Sequence, residues 1–422
     1  MSWEKVILGD ISTNIQTGPF GSQLHQADYS KYGTPVVMPK DMIAGKIVED
    51  SIARVSNDHV ERLNRHKIVP GDILYSRRGD VGKCAIATER ERDWICGTGC
   101  LKVTVDKDKA EPQFVFYQLQ KSETVGWVIN HAVGATMLNL NTSILSAVPV
   151  EIPELKTQRR IVAVLSGYDA LIESNQKQIK LLEEAAQRLY KEWFVDLRFP
   201  GYEDTPIVDG VPEGWKRYLV SDIVEYEIGG GWGEDTVTEK CDNPAYVVRG
   251  TDLYGITHGN ISGIPFRYHA TNNLKSRKLV DGDIIFEVSG GSKTEGVART
   301  ILIRDTVLDY LKMPVMCASF CKLVRVKEQY SQLLFDTFQF MRASGKTGEY
   351  DKKSASNIVN YRWKDFLAHE TVLIPNSEVL SKYSVLSKNM YQMILKKSVE
   401  IEKAKEARDR LLPKLMNGEI EV

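Results

Sequence analysis

The segment that decides the fold reads Ile161-Val-Ala-Val-Leu165-Ser-Gly-Tyr168-Asp-Ala-Leu-Ile172-Glu-Ser-Asn175-Gln-Lys-Gln-Ile179-Lys-Leu-Leu182-Glu-Glu-Ala-Ala186-Gln-Arg-Leu189-Tyr190-Lys-Glu-Trp193. Ile161, Leu165, Tyr168, Ile172, Asn175, Ile179, Leu182, Ala186, Leu189 and Trp193 follow one another in alternating steps of four and three. That spacing keeps one seam of a helix facing a partner helix, and it predicts a helix from about Lys156 to Phe194. Charged residues between the seam positions, among them Glu173, Lys177, Glu184 and Arg188, leave the other faces to solvent. A second segment near the C-terminus keeps the same spacing through Tyr383, Ser387, Met390, Ile394, Lys397, Ile401, Ala404, Arg408, Leu411 and Leu415. Its central polar residue, Lys397, corresponds to Asn175. Paired antiparallel, the two helices bring these polar positions into about the same layer, a device that fixes register at some cost in stability.

The rest of the chain repeats with the helices. Trp3 and Asp10-Ile11 recur as Trp215 and Asp222-Ile223, Val36-Val37 and Asp41 as Val247-Val248 and Asp252, and Gly71-Asp72-Ile73-Leu74 as Gly282-Asp283-Ile284-Ile285. Cys96 and Cys100 recur as Cys317 and Cys321, each pair entering a strand-like run, and Val150-Glu-Ile-Pro153 recurs as Val372-Leu-Ile-Pro375. The order is kept along the whole chain, as in a duplicated unit whose loops have diverged. Each copy reads as a mixed domain of roughly 150–170 residues followed by one long helix. A first helix is expected before Thr17, β-rich runs around Val36-Val37-Met38, Asp72–Tyr75 and Leu101–Val105, and a helix from Gln113 to Gln120. Prolines and glycines from Phe199 to Trp215 mark a linker that no helix crosses.

Composition sets outer bounds. A chain of 422 residues with 42% hydrophobic and 26% charged residues is ordinary for a soluble globular protein. It has no apolar run long enough to span a bilayer and no signal-peptide pattern at Met1-Ser2-Trp3-Glu4-Lys5, so a cytoplasmic protein is expected. Six cysteines in this length form no disulfide framework. The formal net charge of −1 gives no global attraction to nucleic acid, so any nucleic-acid surface must come from local clustering.

Three glycine-rich segments of the first copy carry groups suited to recognition. Thr17-Gly-Pro-Phe-Gly-Ser-Gln-Leu24 offers close backbone approach at Gly18 and Gly21 and hydrogen bonding at Ser22 and Gln23. It reads equally as a tight structural turn with Phe20 in the core. Its counterpart, Gly229-Gly-Gly-Trp-Gly233, keeps glycines around an aromatic residue. Ser76-Arg77-Arg78-Gly79-Asp80-Val81-Gly82-Lys83 gathers three cations, and arginine suits bidentate contact with guanine or phosphate. A solvated basic hairpin is the alternative. The second copy has Ser289-Gly-Gly-Ser292-Lys293-Thr-Glu-Gly296 there, with one cation, so the two domains are expected to read different sequences. Gly134 to Asn141 contains Asn139, suited to adenine, and is matched with Lys352-Lys353-Ser-Ala-Ser-Asn357. Arg249 completes the candidate set in the second copy.

Catalytic readings fare poorly. Asn243-Pro244-Ala245-Tyr246 resembles an adenine-methyltransferase signature, but it lacks the second proline and no glycine-rich cofactor loop precedes it. Ser344-Gly345-Lys346-Thr347 lacks the upstream glycine of a phosphate-binding loop, where Phe340 stands instead. The two Cys-x3-Cys pairs lack the further ligands that zinc sites use, so no metal site is expected. Seven histidines are scattered without pattern.

With these segments in hand, the chain resembles the specificity subunit of type I restriction–modification systems. The resemblance rests on the duplicated domain–helix order, Thr17–Leu24, Gly71–Arg78, Ile152-Pro153 leading into Gln158-Arg-Arg-Ile161, Leu181 to Phe194, and the tail Leu411-Leu-Pro-Lys-Leu-Met-Asn-Gly-Glu-Ile420. It implies an α+β fold: two similar mixed α/β target-recognition domains, residues 1–153 and 199–375, joined by spacer helices, residues 154–198 and 376–422, in an antiparallel coiled coil with pseudo-two-fold symmetry. It also implies a non-catalytic subunit that reads a bipartite, asymmetric double-stranded DNA site. Two modification subunits would carry S-adenosylmethionine and methylate adenine, and restriction subunits would join the larger complex; no cofactor is expected in this chain. Tyr190, Trp193, Phe194 and Leu412 are candidates for docking the modification subunits, or simply close the ends of the helical pair. Two readings from other classes remain: the chain is itself a methyltransferase, or it is a coiled-coil scaffold whose two heads bind proteins without sequence-specific DNA contact.

Overall fold

The computed structural model describes residues 3–134, 137–291, 296–353 and 358–422, with only the backbone described at Ser22 and Lys353. Internal contacts divide the chain into two compact units, Met1–Asp169 together with Ala407–Val422, and Ala170–Glu406.

The first unit is built on β1 (Ser12–Thr17), β2 (Thr34–Val37), β3 (Ile73–Ser76), β4 (Cys84–Ile86), β5 (Ile95–Cys96) and β6 (Cys100–Val105). An antiparallel sheet runs β1-β6-β3-β4, and β5 lies parallel to β2 with Cys96 opposite Val37. Apolar side chains from one face of this sheet, Ile73, Tyr75, Leu101 and Val103, meet α1 (Pro112–Leu119) through Phe114 and Val115. The helix expected before Thr17 is instead the six-residue strand β1. Ser-Thr-Asn-Ile-Gln-Thr carries two threonines and an isoleucine and pairs along its length with β6, and that pairing outweighs any helical tendency.

The long helix α2 (Leu155–Tyr190) ends in a π turn, Lys191–Val195, close to the expected limits. In the first unit its Ile161 and Leu165 enter the same core as Phe114, Leu415 and Met416. Gln158, fully buried, accepts from the Glu111 backbone N–H at 2.9 Å and donates to the Pro153 carbonyl at 2.8 Å, which fixes where the helix leaves the sheet.

The second unit repeats the plan with β7 (Val224–Gly229), β8 (Asn243–Val248), β9 (Ile284–Glu287), β10 (Thr300–Leu302), β11 (Val315–Cys317) and β12 (Cys321–Val326). The sheet order is β7-β12-β9-β10, and β11 lies parallel to β8 with Cys317 opposite Val248. Strand for strand, this is the first unit's topology. Helix α3 (Glu328–Ala343) covers the sheet, with Phe338 edge-on to Phe286. The stretch after α2 is folded rather than a bare linker: Ile207–Val208 pairs with Val211–Pro212, and Phe199 and Trp215 are buried ring to ring.

The second long helix, α4 (Ser377–Met416), runs antiparallel to α2. Within the second unit, Phe194 meets Tyr383 edge-on and Asn175 donates to Glu400 Oε2 at 3.1 Å, so rising numbers on one helix face falling numbers on the other. Within the first, Arg408 Nη1 donates to Asp169 Oδ1 at 2.8 Å. The seam positions Ile161, Leu165, Ile172, Asn175, Ile179, Ile394, Ile401 and Leu415 are buried, and Tyr168, Leu182, Leu189, Met390, Lys397 and Leu411 are half-buried. Lys397 Nζ donates to the same Glu400 oxygen as Asn175, so the two central polar residues share one layer. No helix among the described residues is long and apolar enough to cross a membrane.

Candidate nucleic-acid interface

Sheet register assembles the candidate residues. Thr17, at the end of β1, and Tyr75, near the end of β3, both lie opposite Leu101 of β6, and Ser76 lies opposite Cys100. The segments that follow β1 and β3 therefore leave from one edge of the sheet, beside the turn that enters β6. Gly18 is tied there by its N–H to the Cys100 carbonyl at 2.9 Å, and Arg77 by its N–H to the Gly99 carbonyl at 2.9 Å. A third segment joins them: Leu140 N–H donates to Arg77 O at 2.8 Å, Gly79 N–H to Leu138 O at 3.2 Å, and Arg78 bridges Asn139. Gly18, Phe20, Gly21, Ser22, Gln23, Arg77, Arg78, Lys83 and Asn139, spread over more than a hundred positions of sequence, thus converge on one edge.

Their side chains differ in availability. Phe20 and Arg78 are exposed, and Gln23, Arg77, Lys83 and Asn139 are half-buried. Phe20 is 53% exposed, which removes the reading that places its ring in the core. Arg77 Nε and Asn139 Oδ1 are buried with no hydrogen-bond partner among the described residues. Buried polar atoms left unpaired cost about 1–3 kcal/mol each, and a bound partner would recover that cost.

The second unit builds the same edge with other groups. Gly229 and Phe286 both face Lys322 of β12, and Glu287 faces Cys321. Gly230 N–H donates to Cys321 O at 2.9 Å, as Gly18 does to Cys100. Beyond β9, Ser289 pairs with Asn360, and Asn360 also faces Lys352. Arg78 with Asn139 in one unit therefore corresponds to Ser289 with Asn360 in the other, where Ser289 Oγ donates to Asn360 Oδ1 at 2.9 Å. Asn360 and Ser289 were not among the candidates. The register through β9 brings these two residues to the edge, while spacing along the sequence points to Asn357. Ser292, Lys293 and Asn357 lie outside the described residues, and of Lys353 only the backbone in Asp351–Lys353 is described. Lys352 is exposed.

Two groups of candidates are engaged within the chain. Arg249 stands at the end of β8, but its guanidinium is held by Asp252, with Nη2 to Oδ1 at 2.7 Å and Nε to Oδ2 at 2.9 Å. That pair orients the guanidinium, and the side chain is 42% exposed. Tyr190, Trp193 and Phe194 are buried: Tyr190 stacks on Phe194, Phe194 meets Trp215 and Tyr383, and Trp193 meets Tyr383. These rings close the helical pair inside the second unit and are not free as a docking surface. Leu412 is partly buried against the first unit's core.

The motifs with catalytic overtones are structural. Asn243–Val248 is a strand paired on both sides, and the Asn243 amide donates to the His269 carbonyl at 3.2 Å and to Thr271 Oγ1 at 3.1 Å. Thr347 is buried, and Lys346 pairs with Glu349 and Glu370. Cys96, Cys100, Cys317 and Cys321 are buried free thiols, all pushed up in pKa by burial, Cys96 and Cys317 to about 12. Thiols held neutral in this way are poor nucleophiles and poor metal ligands.

Residues 1–184 match the family described as the type I restriction modification DNA specificity domain. The chain is 24% identical over 403 residues to the type I restriction enzyme MjaIX specificity subunit of Methanocaldococcus jannaschii, covering 92% of this chain and 87% of that one. It is 21% identical to the HindI specificity subunit of Haemophilus influenzae, covering 99% of each. The crystal structure of a type I restriction–modification S subunit from M. genitalium superposes with a TM-score of 0.64 at 13% identity, covering 98% of this chain and 96% of the other, and shares the fold.

Proposed function

We propose, from the premise that this chain belongs to the type I restriction–modification specificity-subunit family, that it reads a bipartite double-stranded DNA site with one half-site per unit. Residues 1–153 and 199–375 act as the two target-recognition domains, and residues 154–198 and 376–422 supply the helices that set the unread gap. The observation that carries this reading is the repeated sheet edge. One topology brings Arg77, Arg78 and Asn139 to the edge in the first unit, and Ser289, Asn360 and Lys352 to the same edge in the second. Base edges are read by hydrogen-bonding side chains in a groove, while cations and backbone N–H groups hold the phosphates. Equal frameworks with unequal polar groups suit two half-sites of different sequence. With a formal net charge of −1, affinity must come from these local groups and from partners rather than from the chain's overall field.

The bond-making belongs to companion subunits. Two modification subunits bind S-adenosylmethionine and methylate an adenine flipped out of the duplex, and restriction subunits join the larger complex. This chain contributes the address.

Co-expression with the modification subunit, followed by mapping of methylated adenines across the host genome, tests the reading. Two short sequence blocks at a constant separation are expected. Methylation without such a motif, or none at all, returns the chain to the scaffold reading, in which the heads bind proteins. With the motif in hand, Arg77→Ala with Arg78→Ala should relax one block by about 1–3 kcal/mol per lost base contact and leave the other intact. Equal damage to both blocks refutes the assignment of that edge to a single half-site.

A further inference from the structure

The two units share a feature that the polar groups do not explain. Gly18-Pro19-Phe20-Gly21 and Gly230-Gly231-Trp232-Gly233 occupy the same place in the two folds. Each begins with a glycine that crosses over the turn entering β6 or β12. A Cβ on Gly18 would lie 1.8 Å from the Gly97 carbonyl oxygen, and one on Gly230 2.2 Å from those of Cys317 and Ala318, so neither position tolerates a side chain. Each ends with a glycine at positive φ, +59° at Gly21 and +76° at Gly233, which turns the chain back. Between them each presents one large aromatic residue to solvent, Phe20 at 53% and Trp232 at 39% exposure.

Both turns are tied by hydrogen bonds, and the Trp232 ring is also braced. Phe20 N–H donates to Gln23 Oε1 at 3.3 Å, and Gln23 N–H returns to Phe20 O at 3.3 Å. Trp232 has the Arg267 guanidinium 4.7 Å from its ring centroid, and that guanidinium is fixed by Asp235 at 3.0 Å and by the Phe266 carbonyl at 3.0 Å. The Trp232 turn is further tied by Glu234 and Tyr268, which exchange backbone hydrogen bonds of 2.9 and 3.0 Å. A single exposed aromatic residue needs no explanation. Two at matching positions, each set on a glycine-built turn beside the edge that gathers the polar candidates, do.

We propose that Phe20 and Trp232 are the stacking residues of the two units, each laying its ring on the face of a base in the half-site that its own unit reads. This rests on the DNA-reading function proposed above. In a duplex a base face is open only where a step is unstacked or a base is flipped out, so the contact holds a deformed half-site in position without selecting sequence. Arg267, over the indole and paired with Asp235, braces the ring from behind.

The test uses the complex of the full chain with its modification subunits and a duplex carrying the motif mapped in vivo, with binding measured across a range of salt. Phe20→Ala and Trp232→Ala should each weaken binding about tenfold or more, with the melting temperature and the slope of affinity against salt unchanged. Phe20→Trp and Trp232→Phe should bind nearly as wild type, and Phe20→Leu and Trp232→Leu should not. Alanine variants within about twofold of a wild-type complex that recognises the motif overturn the proposal alone. Full binding by the leucine variants also overturns it, since the ring would then act only as an apolar wedge. A wild-type complex that shows no bipartite motif overturns the DNA-reading function itself.

Discussion

Asp336 shows how much one buried carboxyl can be asked to hold. It sits on α3, in the second unit, and accepts from Tyr383 Oη at 2.7 Å, Ser387 Oγ at 2.5 Å and Gln332 Nε2 at 3.1 Å, so it fastens the sheet's covering helix to α4. Burial pushes its pKa up from 3.8 to about 6, although the three donors pull it down. The folded form then binds the proton more tightly than the unfolded form. Its contribution to stability is complete below about pH 4 and is lost as pH rises through 6, on the order of 3 kcal/mol in all. Thermal melting of wild type and Asp336→Asn should therefore diverge with pH, with wild type losing ground to the variant between pH 4 and 6. A constant difference across that range would show that the carboxyl does not titrate there.

At the scale of the helices, polar atoms inside the seam fix register. Asn175 is 1% exposed and shares Glu400 Oε2 with Lys397. Asn175→Ala leaves a cavity in the seam and should cost about 1–3 kcal/mol, whereas Asn175→Ile should be neutral or stabilising by melting temperature. The opposite order would mean that the layer serves stability rather than register. The other face of α4 is just as constrained. Gly259 N–H donates to Ser398 Oγ at 2.7 Å, Glu402 accepts from the Ile261 and Ser262 N–H groups, and Lys405 Nζ donates to Gly259 O at 2.7 Å. Gly259 has φ +73°, and a Cβ there would lie 2.2 Å from Ile401 Cγ2. Gly259→Ala should lower stability by about 3 kcal/mol or more in denaturant unfolding, and a loss below 1 kcal/mol would mean the helix yields freely.

That second face marks the limit of what the sequence discloses. The heptad was legible because its apolar side chains repeat with a period that only a helix satisfies. Ser398 and Glu402 were not, because they bond to backbone in a segment that no local pattern couples to α4. The same holds for the candidate edge. Arg77 and Arg78 stand out as cations in a glycine-rich loop, but Asn360 is recognisable only once Ser289 is set opposite it. Gly71-Asp72 and Gly282-Asp283 read clearly as a repeat, and their reason is local: each aspartate accepts the N–H three residues before it, at Val69 and Val280, both at 2.8 Å.

At the scale of the whole molecule, helix length and register become a distance. If the helices set the gap, one heptad inserted into both at the Asn175 layer keeps the seam in phase and adds about 10 Å of rise. Methylation mapping should then show both sequence blocks unchanged and their separation greater by about three base pairs. An unchanged gap would place that control elsewhere.

The first unit is completed by residues far along the chain. Leu415 and Met416 are buried in its core, Gln118 donates to the Met416 carbonyl at 3.2 Å, and Gly418 lies against the Trp3 indole. During synthesis, then, the first unit leaves the ribosome well before the residues that complete it, and its apolar groups stay uncovered until residues 415 and 416 have emerged. A nascent chain stalled before Ala407 should expose its first unit to proteases and chaperones, and release of the remaining residues should protect it.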